Sequence, residues 1–164
     1  LVKACFDMGE VKTGALIVIE QENRLSEYER TGINIDAVLT SQLLINIFEH
    51  NTPLHDGAVI VRGNRVAAAT CYLPLSDNME LSKQLVTRHR AGVGISEVSD
   101  SLTIIVSEET GKVSIAQGGK LTRCVNSAAL RSALVKAQNK TVIENGKLRH
   151  LLKGRVKHEE KTTK

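Results

Sequence analysis

Two short clusters carry the side chains from which this sequence could build chemistry. The first, Leu54-His55-Asp56-Gly57, delivers an imidazole, a carboxylate and a glycine in consecutive positions after Pro53, immediately before the apolar run Ala58-Val59-Ile60-Val61. That run has the length and β-branched content of a buried strand. A carboxylate at the mouth of such a strand is held by a rigid element yet open to ligand, and Gly57 lets a bulky group approach the backbone. Asp-Gly also builds ordinary turns, so the dipeptide alone does not decide between the two. The second cluster, Thr87-Arg88-His89-Arg90, sets two guanidinium groups and an imidazole at the expected start of a helix. Backbone N–H groups and the positive end of the helix dipole favour phosphate there, Thr87 can cap or donate, and arginine forks match phosphate oxygens. A solvated basic face is the other reading of these residues.

The clusters are complementary. An acidic group can bind a divalent cation and a basic helix start a polyphosphate, which together describe metal-assisted phosphoryl or nucleotidyl transfer. Glu108-Glu109 could add a carboxylate and Ser107 a hydroxyl, although a solvated turn accounts for them equally well. Tyr72-Leu73 offers a flat aromatic beside an aliphatic group, suited to a purine or to the core. Gln117-Gly118-Gly119-Lys120 is a weak phosphate-loop signal and reads better as a turn. The Walker lysine loop and the Gly-x-Gly-x-x-Gly fingerprint are both missing from the sequence.

The elements that must position these groups follow from periodicity. Residues 1–12 read as a helix, and Thr13-Gly14 breaks it before the buried strand Ala15-Leu16-Ile17-Val18-Ile19. Residues 21–32 form a polar surface excursion, and residues 37–49 place Val38, Leu43, Leu44, Ile47 and Phe48 on one side of a helix capped by Thr40 or Ser41. Gly63-Asn64 links the central strand to Val66-Ala67-Ala68-Ala69 as a hairpin. Residues 75–87 are polar, with Leu81 and Leu85 as anchors, and a second helix runs over 88–98 despite Gly92 and Gly94, whose presence suggests close packing or close ligand approach. Each glycine costs about 1 kcal/mol against Ala in a helix interior. Residues 102–106 and 112–116 pair around Glu108-Glu109-Thr110-Gly111, and an amphipathic helix covers 125–137. These elements predict an α/β domain, a central mixed β-sheet with helices on both faces. Its expected extent is 1–146, followed by a flexible basic tail over 147–164.

Composition narrows the function classes. Of the net charge of +4, residues 147–164 carry +5 and residues 1–146 carry −1, so the basicity belongs to the tail. Aromatics are limited to Phe6, Phe48, Tyr28 and Tyr72, too few for a base-stacking surface, which with a near-neutral folded part argues against an RNA-binding protein. Cys5, Cys71 and Cys124 are odd in number and far apart, consistent with reduced core thiols of a cytosolic protein. No stretch reaches the roughly 18 apolar residues of a membrane span, and no signal peptide is visible. The chain opens at Leu1 inside an expected helix, so a longer native N-terminus and a soluble fragment are the expectation.

Asp56-Gly57-Ala58 followed by Arg88-His89-Arg90 resembles the paired signature of the diadenylate cyclase (DAC) domain family. The surroundings agree: Thr13-Gly14-Ala15-Leu16-Ile17, Leu54-His55 before the aspartate, Thr87 before the arginine, and Ser107-Glu108-Glu109-Thr110-Gly111 in the late hairpin. The resemblance runs over residues 1–137 and is similar to the membrane-associated cyclase A branch, whose catalytic domain follows transmembrane helices. It implies the DAC-domain fold and an enzyme condensing two ATP into cyclic di-AMP with release of two pyrophosphates, using Mn²⁺, Mg²⁺ or Co²⁺. Carried onto this chain, Asp56 in the Asp56-Gly57-Ala58 motif would help deprotonate the ribose 3′-hydroxyl through the metal, with His55 as a candidate ligand. Arg88, His89 and Arg90 would organise the phosphates with Thr87, Ser107 and Glu109 would lie near the triphosphate and metal, and Tyr72 and Leu73 would contact adenine. The implied partners are ATP, a second copy in a face-to-face homodimer, a membrane regulator with YbbR repeats and a phosphoglucosamine mutase, with no nucleic acid. The implied location of the full-length protein is the cytoplasmic face of the membrane. The alternative is a non-catalytic module of the same fold that binds ATP or cyclic di-AMP.

Overall fold

A computed structural model of the chain describes residues 1–78 and 87–138. Its centre is β1 (Ala15–Ile19), an unbroken apolar strand with Ala15 to Val18 buried. On one side β1 pairs parallel with β3 (Ala58–Arg62), Ile17 opposite Val59. On the other it pairs antiparallel with β5 (Leu102–Val106), Ala15 opposite Val106. A parallel pair cannot be closed by a tight turn. The chain therefore leaves β1, passes through α2 (Ser26–Glu29), β2 (Ile33–Val38) and α3 (Ser41–Phe48), and returns at β3. Hairpins then add β4 (Arg65–Cys71) beside β3, and β6 (Val113–Gln117) and β7 (Lys120–Cys124) beyond β5. The seven strands lie in the order β2-β4-β3-β1-β5-β6-β7.

Side-chain alternation along the strands builds two apolar layers. Ala15, Ile17, Val59, Val61 and Ile104 face α1 (Val2–Glu10), α3 and the helical residues 127–138, packing with Met8, Leu44, Phe48 and Leu130. Leu16, Val18, Ala58, Ile60 and Ile105 face α4 (Thr87–Val98), packing with Ala91, Val93 and Ile95. The expected architecture, a mixed sheet with helices on both faces, is what forms. The three thiols are buried and unbridged. Burial pushes Cys5 up to about 12 and Cys71 to about 11, and raises Cys124 too, so all three stay protonated at neutral pH as small core groups.

The edges differ from the expectation. Residues 33–38 form β2, so α3 begins at Ser41, where the Thr40 side chain accepts from the Leu43 N–H at 3.1 Å. The polar excursion holds the short α2 and the buried Leu25. β7 follows the Gly118-Gly119 turn, a strand too polar to announce itself, and the last helix is found at 127–138, after a Val125 that is 81% exposed. Gly92 and Gly94 are explained by contact: a Cβ at Gly92 would stand 2.8 Å from Ile105 of β5, and one at Gly94 2.1 Å from the Pro74 carbonyl oxygen. The anchors Leu81 and Leu85 and the basic tail lie outside the described residues. No helix among the described residues is long and apolar enough to cross a membrane.

At the far end of β1 from Gly14, Glu20 ties three elements together. Its carboxylate accepts from Arg62 Nε of β3 at 2.6 Å, from Arg62 Nη2 at 3.0 Å and from the Leu25 N–H at 2.9 Å, while Arg62 also reaches Glu29 of α2 at 2.5 Å. Burial alone would raise the Glu20 carboxyl, but the Arg62 and Leu25 hydrogen bonds and the charges of Arg62 and Arg24 hold it below the ordinary carboxylate value. The unfolded chain therefore takes up this proton first on acidification. The stability Glu20 contributes is complete above its unfolded pKa, near 4.3, and is lost as pH falls through the lower folded value. Glu20→Gln should cost about 2 kcal/mol at pH 7 by leaving a half-buried guanidinium with a weaker partner. Urea midpoints at pH 7 and pH 4 check both points, since the variant should lose less than the wild type between them.

Candidate active site

Because β1 and β3 run parallel while β4 and β5 run against them, four strand ends meet at one edge of the sheet. These are the starts of β1 and β3 and the ends of β4 and β5, with Ala15 opposite Val106 and Ala58 opposite Cys71. A cleft of about 560 Å³ opens there, a volume typical of a small-molecule site. Asp56, Gly57, Tyr72, Leu73, Thr87, Arg88 and Glu108 all line it, so seven of the residues singled out from sequence converge on one cavity.

Each is placed by local structure. Gly57 has φ +96°, and a Cβ on it would sit 2.8 Å from the Thr70 carbonyl carbon of β4, itself a residue at φ +57° in an irregular stretch of the β3–β4 pairing. Glycine is required here by its backbone conformation and by the neighbouring strand's approach. Asp56 is exposed at the cleft, and no described residue hydrogen-bonds its carboxylate. The Tyr72 ring is 71% exposed, while its N–H donates to Thr31 Oγ1 at 2.9 Å, anchoring the segment after β4. Leu16, Leu75 and Ala91 supply further apolar lining.

Arg88 forms an ion pair with Glu108 of the β5–β6 turn, and Glu108 also lines the cleft. The pair is seated on Gly14, where a Cβ would stand 2.5 Å from Arg88 Nη1 and 3.0 Å from Glu108 Oε2. The sequence offers Glu108 both as a further carboxylate and as part of a solvated turn, and Gly14 as a break before β1; the fold pairs Glu108 with Arg88 and packs Gly14 against both. The break was the available signal, since a glycine at a buried strand start needs a neighbour that explains it.

The remaining candidates surround the cleft without lining it. Ala58 is fully buried as the first residue of β3. His55 Nδ1 lies 2.6 Å from the Thr52 carbonyl oxygen, which can only accept, so Nδ1 donates there and Nε2 is the ring nitrogen not engaged by that contact. His89 is buried, which lowers its pKa against an opposing effect of the Glu109 charge and keeps the imidazole neutral at neutral pH. The buried Ser107 closes the β5–β6 turn, its Oγ accepting from the Thr110 N–H at 3.2 Å, and Glu109 is exposed on that turn. The Arg90 guanidinium donates to the Ser76 carbonyl oxygen. The Gln117–Lys120 segment is the β6–β7 turn, and its Gly119 N–H donates to Ser96 Oγ at 3.1 Å, near the C-terminal end of α4. That commitment removes it as a phosphate loop.

Among the described residues no group of three or more His, Cys, Asp or Glu side chains could hold a metal. Asp56, exposed at the cleft, and His55, its neighbour in sequence, are the candidate donors for a cation. Mg²⁺ is commonly held by one or two carboxylates with substrate phosphates and water completing the shell, a role open to Asp56. A carboxylate also suits Mn²⁺, and an imidazole nitrogen would suit a later first-row ion such as Co²⁺.

The family model described as DisA bacterial checkpoint controller nucleotide-binding, DAC, matches residues 2–121. The chain belongs to the DAC family. The protein called cyclic di-AMP synthase CdaA in Bacillus subtilis is 56% identical over 134 residues, which make up 82% of this chain and 49% of that protein. The chain therefore spans about half the length of this curated relative. A crystal structure of DacA from Staphylococcus aureus, a double mutant, superposes with a TM-score of 0.81 at 50% identity, covering 83% of this chain and 91% of that one. A structure described as a hypothetical membrane spanning protein from Bacillus cereus gives 0.72 at 45% identity, covering 74% and 59%.

The two glycines of this DAC site should fail in different ways. Gly57→Ala opposes both a left-handed φ and backbone atoms, so it should cost about 1–3 kcal/mol of stability. Gly14→Ala meets only the ends of two flexible side chains. It should leave the melting temperature near wild type while displacing Arg88 and weakening nucleotide binding about tenfold, one charge-assisted contact's worth. Thermal melts beside nucleotide titrations check the contrast.

Proposed function

We propose that this chain is the catalytic part of a diadenylate cyclase, which joins two ATP into cyclic di-AMP and releases two pyrophosphates. The observation that carries the reading is the single cleft in which an unpaired carboxylate, Asp56, faces an arginine, Arg88, beside the Tyr72-Leu73 wall, in a chain of the DAC family. Leu73 and Leu75 give adenine an apolar face and Tyr72 an aromatic one. Arg88 and Thr87 take the triphosphate, the guanidinium presenting to it the donors that Glu108 leaves free. Asp56 sits at the β3 mouth, where the ribose 3′-hydroxyl must lose its proton.

In each half-reaction a 3′-oxygen forms a bond to the α-phosphorus of the other nucleotide. The bond from that phosphorus to the oxygen bridging to the β-phosphate breaks, pyrophosphate leaves with the electron pair, and the hydroxyl proton passes to the Asp56 side. Asp56 and His55 are the proposed holders of a divalent cation, Mn²⁺, Mg²⁺ or Co²⁺, which would offset the charge that builds on the attacking oxygen and on departing pyrophosphate. The neutral, buried His89 contributes no charge to phosphate binding at neutral pH.

One cleft suits one nucleotide, so two clefts must face each other for mutual in-line attack. The proposed active species is a face-to-face homodimer, and activity per protomer should fall when the protein is diluted below its dimerisation range. The CdaA likeness and the membrane-spanning description of one structural neighbour support a location at the cytoplasmic face of the membrane. A YbbR-repeat regulator and a phosphoglucosamine mutase are the partners proposed there from the family resemblance. A non-catalytic nucleotide-binding module would give no product from ATP and Mn²⁺. Asp56→Asn should keep the fold and ATP binding but lower synthesis at least about a hundredfold, the scale of a removed general base. Chromatography of the products measures both, and near-normal turnover by the variant would remove Asp56 from the mechanism.

A further inference from the structure

Arg90 shares a helix with the cleft arginine but faces a different partner. Its Nε and Nη2 donate to the Ser76 carbonyl oxygen at 3.3 and 3.2 Å, and the Ser76 N–H donates back to the Arg90 carbonyl oxygen at 3.0 Å. One turn on, Gly94 lies so close to the same segment that a Cβ would be 2.1 Å from the Pro74 carbonyl oxygen and 2.7 Å from the Ser76 nitrogen. Further along, Glu97 Oε1 accepts from Ser76 Oγ at 2.7 Å. Residues 90, 94 and 97 follow the spacing of one helix face. Ser76, which they grip, is 1% exposed, and the residues just before it, Tyr72, Leu73 and Leu75, line the cleft.

We propose that Arg90, with Gly94 and Glu97, positions the nucleobase wall of the cleft against α4 and is not a ligand of the phosphates. The Nε/Nη2 edge is the fork a guanidinium uses for bidentate phosphate binding, and here that edge is spent on a main-chain carbonyl. The adjoining stripe of the same helix, Arg88 and Ala91, faces the cleft. Helix α4 thus acts as a ruler, setting the distance between the triphosphate anchor at Arg88 and the wall at Leu73 and Leu75. Loss of Arg90 leaves the Ser76 carbonyl without its charged donor and frees the wall to shift, with the anchor still in place.

The inference rests on the cleft being the ATP site, and two probes separate the claims. ATP and inorganic tripolyphosphate, each with Mn²⁺, are titrated into the wild type, Arg90→Ala, Glu97→Ala and Arg88→Ala, with thermal melts confirming that each variant is folded. Arg90→Ala should weaken ATP about tenfold while leaving tripolyphosphate within about twofold of wild type. Glu97→Ala, at a residue that does not line the cleft, should show the same selective loss on a smaller scale and carries the test if Arg90→Ala does not fold. Arg88→Ala should weaken both probes. If Arg90→Ala weakens tripolyphosphate as much as ATP, Arg90 is a phosphate ligand and the positioning role is overturned. If the wild type does not bind tripolyphosphate, or Arg88→Ala weakens neither probe, the ATP reading of the cleft fails and this role fails with it.

Discussion

The site depends on one pairing decision, the parallel alignment of β1 with β3 inside an otherwise antiparallel sheet. Were all neighbours antiparallel, the beginning of β3 would lie at the opposite edge from the beginning of β1, and Asp56 would be a strand length away from Gly14 and Glu108. The alignment is specified by burial. Ile17, Ile19, Val59 and Val61 share one layer, and Val18 and Ile60 the other, so a one-residue slip would turn each set onto the wrong helices. The long crossover this requires leaves Thr31 at hand to receive the Tyr72 N–H. The connection that makes the parallel pair possible thus also anchors the cleft wall.

Charge in the cleft is set with similar economy. Arg88 is the one cation among the described cleft-lining residues, against the carboxylates of Asp56 and Glu108. His89 stands next to it in sequence but is buried and neutral, so the charge of the cleft does not switch on and off through this imidazole near neutrality. Glu108 holds one guanidinium nitrogen and Gly14 provides bare backbone beneath it, which fixes the arginine in advance of any ligand. Such preorganisation would reduce the ordering cost of binding an anion there.

What was legible in the sequence divides along physical lines. The central strands were readable because burial on both faces demands continuous apolar runs, and Ala15 to Ile19 and Leu102 to Val106 are such runs. β2 was hidden because an edge strand needs little apolar content: its Ile33 and Val38 are exposed, its pairing is interrupted between Asn34 and Ala37, and Asp36 has φ +44°. β7 shares that difficulty. Within the site, Asp56 and Arg88 could be picked out because a carboxylate beside glycine at a strand mouth and an arginine on a helix each suggest a ligand. Arg90 could not be told from Arg88 by type or by local pattern. Two positions along a helix turn a side chain by roughly 200°, so equal residues in one motif inherit different neighbours, and only the fold shows which neighbour each receives.

Helix α4 shows why local preference and function diverge here. Two interior glycines cost it about 2 kcal/mol relative to alanine, and its first described turn carries no acidic residue to favour the helix dipole. Either glycine could be improved for helix formation only by driving a methyl group into Ile105 or into the Pro74 carbonyl. The second of these is decisive, since 2.1 Å from a main-chain oxygen cannot be relieved by a side-chain rotation. The helix is therefore held by what it touches: Val93 and Ile95 in the core, Gly92 on β5, and the 74–76 segment on its flank. A helix that is poor alone and secure only when docked keeps its arginines where the sheet and the following segment place them, and that dependence makes the geometry of the cleft a property of the whole fold.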